Sequence, residues 1–133
     1  MWTISLSAVV AAAAVGFLVG GLWYGPLFLK VWQREAGISE FDMKRRHPAY
    51  VFGGAFALQL FAAYFMGHVF ATYGGLSPKS TILTAFGIAL AFVVTAFGVN
   101  YLFAGRSVKL WAIDSGYYLV TYSLMGAIFA WLG

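Results

Sequence analysis

The chain has 133 residues, 62% of them hydrophobic, 20% aromatic and only 9% charged, with a mean hydropathy of +0.85 and a net charge of +4. Soluble domains carry about 25% charged residues, so a water-soluble fold of this composition would expose large apolar patches that lipid accepts and water does not. With no cysteine there is no disulfide staple and no thiolate metal site. The expectation is an all-α integral membrane protein: one membrane domain, 1–133, of four transmembrane helices in a bundle.

The first span is expected over about 3–25. Thr3 to Tyr24 is uncharged and matches the roughly 20 apolar residues a bilayer-spanning helix needs. A cleavable signal peptide is the competing reading. MWTISLS lacks the Lys or Arg of such a leader and the apolar run is long for one, so a retained helix is expected. Ala12, Gly16 and Gly20 recur every four residues, a spacing that lets two helix backbones approach closely.

A short amphipathic interfacial segment, 26–47, follows. Trp23, Tyr24 and Trp32 are expected to anchor it at headgroup level, and Pro26 stands where a new helix would start. Leu27, Phe28, Val31 and Trp32 fall on one side, with Lys30, Arg34 and Glu35 over the rest. Gly37 ends this helix, and Ser39 with Asp42 forms a capping box for a second short one. Lys44, Arg45, Arg46 and His47 close the segment, a basic cluster suited to anionic headgroups rather than to nucleic acid.

The second span, about 49–72, carries Gln59 near its middle and His68 near its end, with no second ligand at helical spacing to make a metal site. The third is expected over about 81–103, where Thr84, Ile88, Ala91 and Thr95 share a face best read as packing. After the Gly105-Arg106-Ser107 turn the fourth runs over about 108–132, with Asp114, Tyr118, Thr121 and Met125 along one side.

Asp114 is the one carboxyl group that hydrocarbon would have to accommodate. It lies about 8 to 9 Å past its helix start at 1.5 Å per residue, at a depth similar to Asn100 on the preceding span. Asn100, Arg106, Lys109, Asp114 and Tyr118 therefore form the candidate polar cluster, in which Asn100, Arg106 or Lys109 partners the acid. A structural clamp joining the last two helices is the preferred reading over an ion or proton site, although an ionisable group in a span is a functional candidate in its own right.

Four spans put seven of the eight basic residues at one end, with Lys79 alone at the other. The positive-inside rule places that end in the cytoplasm and both termini outside. A weak internal repeat accompanies this: Gly21-Leu-Trp-Tyr24 matches Gly98-Val-Asn-Tyr101, and Met66-Gly-His-Val-Phe-Ala71 matches Met125-Gly-Ala-Ile-Phe-Ala130. Each match joins a helix to the one two later, as in two hairpins related by an axis along the membrane normal.

The run GLWYGPLF with Trp32, and GVNYLFAGRSVKLWAIDSGYY with Met125-Gly126 and Trp131, resemble the small bacterial membrane proteins grouped as domain of unknown function 1761. The resemblance covers nearly the whole chain. It implies the bacterial cytoplasmic membrane and brings no assigned activity. It also implies that the position of Asp114 is more usually Asn and that of Tyr118 often His, which argues against a mechanism that needs the carboxyl group throughout the family.

No metalloprotease, nucleophile-elbow or phosphate-loop motif occurs, so no enzyme and no cofactor are expected. Two readings remain. The first is a packing, scaffold or accessory subunit, as a homo-oligomer or beside another membrane protein. The second is a small transporter or channel with a polar site at Asn100 and Asp114. The first is preferred, because the polar residues of the outer halves make a thin stripe for one subunit.

The basic-residue split makes the topology testable. Alkaline phosphatase fused after Gly133 should be active, and a reporter in the 39–46 loop should report the cytoplasm; an inactive but inserted Gly133 fusion would reverse the orientation.

Overall fold

The computed structural model describes residues 4–133; Thr3, where the first span was expected to begin, lies outside them. Among the described residues the chain is helical and has no strand. Helix α1 is Leu6–Leu27, α2 Leu29–Ala36, α3 Glu40–Lys44, α4 Pro48–Tyr73, α5 Pro78–Ala104 and α6 Val108–Leu132. Helices α1, α4 and α5 are long and apolar enough to cross a membrane. Helix α6 is as long, at 25 residues, but more polar.

Local chemistry sets the boundaries. The hydroxyls of Ser5, Ser39, Ser77 and Ser107 each accept a first-turn backbone N–H, and His47 Nδ1 does the same for Ala49, supplying partners the helix itself cannot. Pro48 and Pro78 occupy first-turn positions where the missing N–H costs nothing. Gly37 and Gly105 end α2 and α5 with φ of 70° and 68°, the left-handed geometry that favours glycine.

Two helices contain widened turns, and the one in α5 has no counterpart in the sequence pattern. In α1, Trp23–Leu27 is a kink at which two helical segments meet: Gly25 has a non-helical φ of −106° and ψ of −106°, so one segment ends and another begins beside Pro26, as the sequence suggested. Pro26 cannot donate to the preceding turn; instead Phe28 N–H reaches back five residues to the Trp23 carbonyl at 2.9 Å. Pro26 therefore lies inside the bend, and α2 starts at Leu29. In α5 the π segment Ala89–Val94 breaks the face proposed for Thr84, Ile88, Ala91 and Thr95, because an extra residue rotates everything beyond it. Thr95 donates to the Ala91 carbonyl at 2.7 Å, within its own helix.

Helix α6 packs between α1 and α5, and α4 packs against α1. The main core lies toward the end remote from the basic loops, where Ala8, Ala12, Ala63, Met66, Ala85, Met125 and Phe129 meet. Small residues make these approaches possible. A Cβ on Gly126 would lie 2.8 Å from Ala85 Cβ and 3.1 Å from Ile82 Cα, and one on Gly67 would lie 3.0 Å from Phe129.

At the basic end α4 stands off. From Pro48 to Leu58 every residue except Phe56 is exposed, and edge-on contacts of Phe17 with Phe52 and Phe56 link it to α1. Where Gly126 lets α5 close on α6, this half of α6 presents Tyr117, Tyr118 and Tyr122, too bulky for a fourth backbone to approach.

Gly126→Ala should lower the melting temperature in detergent, since overpacking against the α5 backbone costs about 1–3 kcal/mol. Gly87→Ala, where an added methyl meets nothing within 4 Å, should be neutral or stabilise by up to about 1 kcal/mol. Equal melting of the two variants would remove Gly126 from its packing role.

Candidate functional site

Asp114 is buried, 7% exposed, and both its oxygens are engaged. The Tyr24 hydroxyl donates to Oδ1 at 2.6 Å and the Tyr101 hydroxyl donates to Oδ2 at 2.5 Å. The two donors come from the basic ends of α1 and α5, so one carboxyl group ties three helices together. A buried polar group needs such partners, and phenols bring hydroxyls to it on rings that are themselves apolar.

This arrangement corrects the expected partners. Arg106 is exposed, and its Nη1 donates to the Ala36 carbonyl at 3.0 Å, capping the last turn of α2 as basic side chains do at helix C-termini. Lys109 and Asn100 are exposed. One residue turns a helix by about 100°, so with Tyr101 facing α6 its neighbour Asn100 faces away. Of the five residues grouped from the sequence, Asp114 and Tyr118 line a common groove. Tyr118 is half-buried, tilted against Phe97 and edge-on to Tyr117 and Tyr122.

Trp23, Tyr24 and Trp32 are partly buried and make contacts within the fold. Trp23 Nε1 donates to the Ile113 carbonyl at 2.8 Å, Tyr24 contacts Asp114, and Trp32 packs edge-on against Tyr24. Trp111 repeats the Trp23 arrangement on the other side, donating to the Val94 carbonyl at 2.9 Å. Each indole crosses a glycine: a Cβ would sit 2.9 Å from Trp23 at Gly116 and 3.3 Å from Trp111 at Gly98.

A second polar relay was missed in the sequence. Gln59 Nε2 donates to the Tyr117 hydroxyl at 2.6 Å, and that hydroxyl donates to the Gly16 carbonyl at 2.7 Å. Ala12, Gly16 and Gly20 thus form the face of α1 that receives its own neighbours. Ala12 is fully buried, Gly16 lies against Gln59 and Met125, and Gly20 lies against the Tyr117 ring. The available signal for the Asp114 donors was the repeat itself, since Tyr24 and Tyr101 are its matching residues.

Two carboxyl groups outside the long helices are held below their usual range. The Ser107 hydroxyl, with Arg34 adding to it, does this for Glu35, which links α2 to the α5–α6 turn. The Ser39 backbone N–H and then its hydroxyl do so for Asp42 in the capping box. Among the described residues no three of His, Cys, Asp or Glu come together. His68 stacks on Tyr64 and Phe65.

Between the standing-off half of α4 and the α5–α6 pair lies a groove of about 1280 Å³, larger than the roughly 300–1,000 Å³ of small-molecule pockets. Phe17, Gly20 and Tyr24 of α1 contribute to its lining, as do Val51, Leu58 and Ala62 of α4 and Phe97, Tyr118 and Tyr122 opposite them. Lys44, Arg45 and Arg46 line it at the basic end.

If the two tyrosines hold the acid, Asp114→Asn keeps an oxygen acceptor and should melt close to the parent. Asp114→Leu leaves both hydroxyls without their acceptor and should lose about 1–3 kcal/mol. In a Tyr24→Phe background the loss from Asp114→Leu should shrink; a Leu variant that melts like the parent would remove the carboxyl group from its role.

Neither the curated proteins nor the solved structures compared with this chain contain a match. A family model does match, over residues 7–130, which is nearly the full length and includes α2, α3, the tyrosine-held acid and the groove. The chain therefore belongs to the family described as "Protein of unknown function (DUF1761)".

Proposed function

We propose that the chain is a four-span protein of the bacterial cytoplasmic membrane, with both termini outside, that acts as a non-enzymatic packing, scaffold or accessory subunit in a homo-oligomer or a larger membrane complex. At 25 residues α6 is about 37 Å long, enough for a hydrocarbon core of about 30 Å. Its polar residues are accommodated by lying between α1 and α5. The end that carries Trp23, Asp114 and the basic loops faces the cytoplasm by the distribution of Lys and Arg.

The observation that carries the scaffold reading is the Tyr24–Asp114–Tyr101 contact. Both oxygens of this acid accept a hydroxyl from a different helix, and the carboxyl group is 7% exposed, which favours a fastening over an ion or proton site. Gln59 and Tyr117 are likewise engaged with each other and with the Gly16 carbonyl. These contacts support polar residues acting as internal fastenings. The transporter or channel reading draws on the same Asp114 together with Asn100, and Asn100 is exposed on α5 rather than turned to the acid.

In proteoliposomes the parent and Asp114→Asn should show the same background proton and cation flux, and affinity purification from native membranes should recover the chain in a defined assembly. A flux above empty liposomes that Asp114→Asn abolishes, with its fold intact, would replace the scaffold reading with the transporter one.

A further inference from the structure

The groove beside α4 combines three features: apolar walls, a closed deep end and a basic mouth. Its walls along α4 run from Pro48 to Ala62, roughly 21 Å at 1.5 Å per residue. That reaches from the headgroup level to past the middle of a hydrocarbon core of about 30 Å. Beyond Ala62 the seam closes, because Ala63, Met66 and Gly67 are buried and Phe70 meets Phe129 at 5.5 Å.

In the floor Asp114 is paired with its two tyrosines and Gln59 Nε2 with Tyr117, and the walls are mainly aliphatic and aromatic carbon, so the interior asks for hydrocarbon. The mouth asks for an anion. Lys44, Arg45 and Arg46 line it with a single carboxyl group, Asp42, which is engaged with Ser39. The one salt bridge among the described residues, Arg34 with Glu35, uses none of these three cations.

We propose that this groove binds one anionic phospholipid of the leaflet at the basic end, its acyl chain between α4 and α6 and its headgroup against Lys44, Arg45 and Arg46. A transmembrane helix from a second copy fits the same space poorly. It would need a seam about 30 Å long, and this one closes after about two-thirds of that length.

The full chain contains no cysteine, so single-cysteine probes report cleanly. In nanodiscs of phosphatidylcholine with or without phosphatidylglycerol, native mass spectrometry of the parent should show one tightly retained phosphatidylglycerol, preferred at least about tenfold over phosphatidylcholine given what each of the three basic residues contributes near an anionic headgroup. Replacing Lys44, Arg45 and Arg46 together by Gln should erase the preference. Ala55→Trp, which fills the groove from an exposed position and leaves every charge in place, should lose the retained lipid with an unchanged melting temperature. Ala55→Cys should react with a maleimide more slowly when phosphatidylglycerol is present, which tests occupancy without adding bulk.

Retention unaffected by Ala55→Trp, or equal alkylation in both lipids, would assign any preference to lipid surrounding the protein and overturn the proposal. So would Ala55→Cys protection that follows dimer formation and not lipid composition, since the occupant would then be a second copy.

Discussion

The Asp114 carboxyl group and the two phenols that hold it are the contact on which the basic half of the molecule depends. An acid on an apolar helix must find donors or destabilise the fold. Here the donors come from the ends of two other helices, so satisfying the acid also determines how α1 and α5 sit on α6. The bend at Trp23–Leu27 belongs to the same solution. By widening the turn, Pro26 and its neighbours accompany an arrangement in which both the Trp23 indole and the Tyr24 hydroxyl reach α6.

The remaining contacts follow one rule: large polar-tipped aromatic side chains lie across glycines and donate to a backbone carbonyl nearby. Trp23 passes Gly116 toward the Ile113 carbonyl, Trp111 passes Gly98 toward that of Val94, and Tyr117 reaches the Gly16 carbonyl beside Gly20. In a hydrocarbon setting apolar surfaces gain little by meeting one another, and close packing with interhelical hydrogen bonds carries association instead. Both are present at these crossings. Where α4 has neither, over Pro48–Leu58, it stands apart, and the basic loop sits at the mouth of the space left behind.

That asymmetry bears on the repeat. Two equivalent hairpins would bring α4 to α5 as closely as α1 lies to α6. The repeat-matched tyrosines do meet on one acid, yet the α4–α5 seam is a groove.

Composition and patterning alone determined the class of fold, since long apolar runs with few charges cannot be stable in water and form helices in lipid so that their own backbones are satisfied. Local chemistry in the sequence also marked the turns: Gly37 and Gly105 where φ must be positive, and Ser39 with Asp42 as a reciprocal cap. Asp114 was legible as the residue needing an explanation, and Ala12, Gly16 and Gly20 as a close-packing face. Which groups answer Asp114 was not legible. Sequence proximity favoured Arg106, Lys109 and Asn100, but a single residue of helix separates a side chain that faces α6 from one that faces outward, and π turns change that phase without a periodic signal. Tyr24 lies 90 residues from the acid in the chain. Only the tertiary packing of α1, α5 and α6 brings it within a hydrogen bond, and only the failure of α4 to follow them leaves a groove beside it.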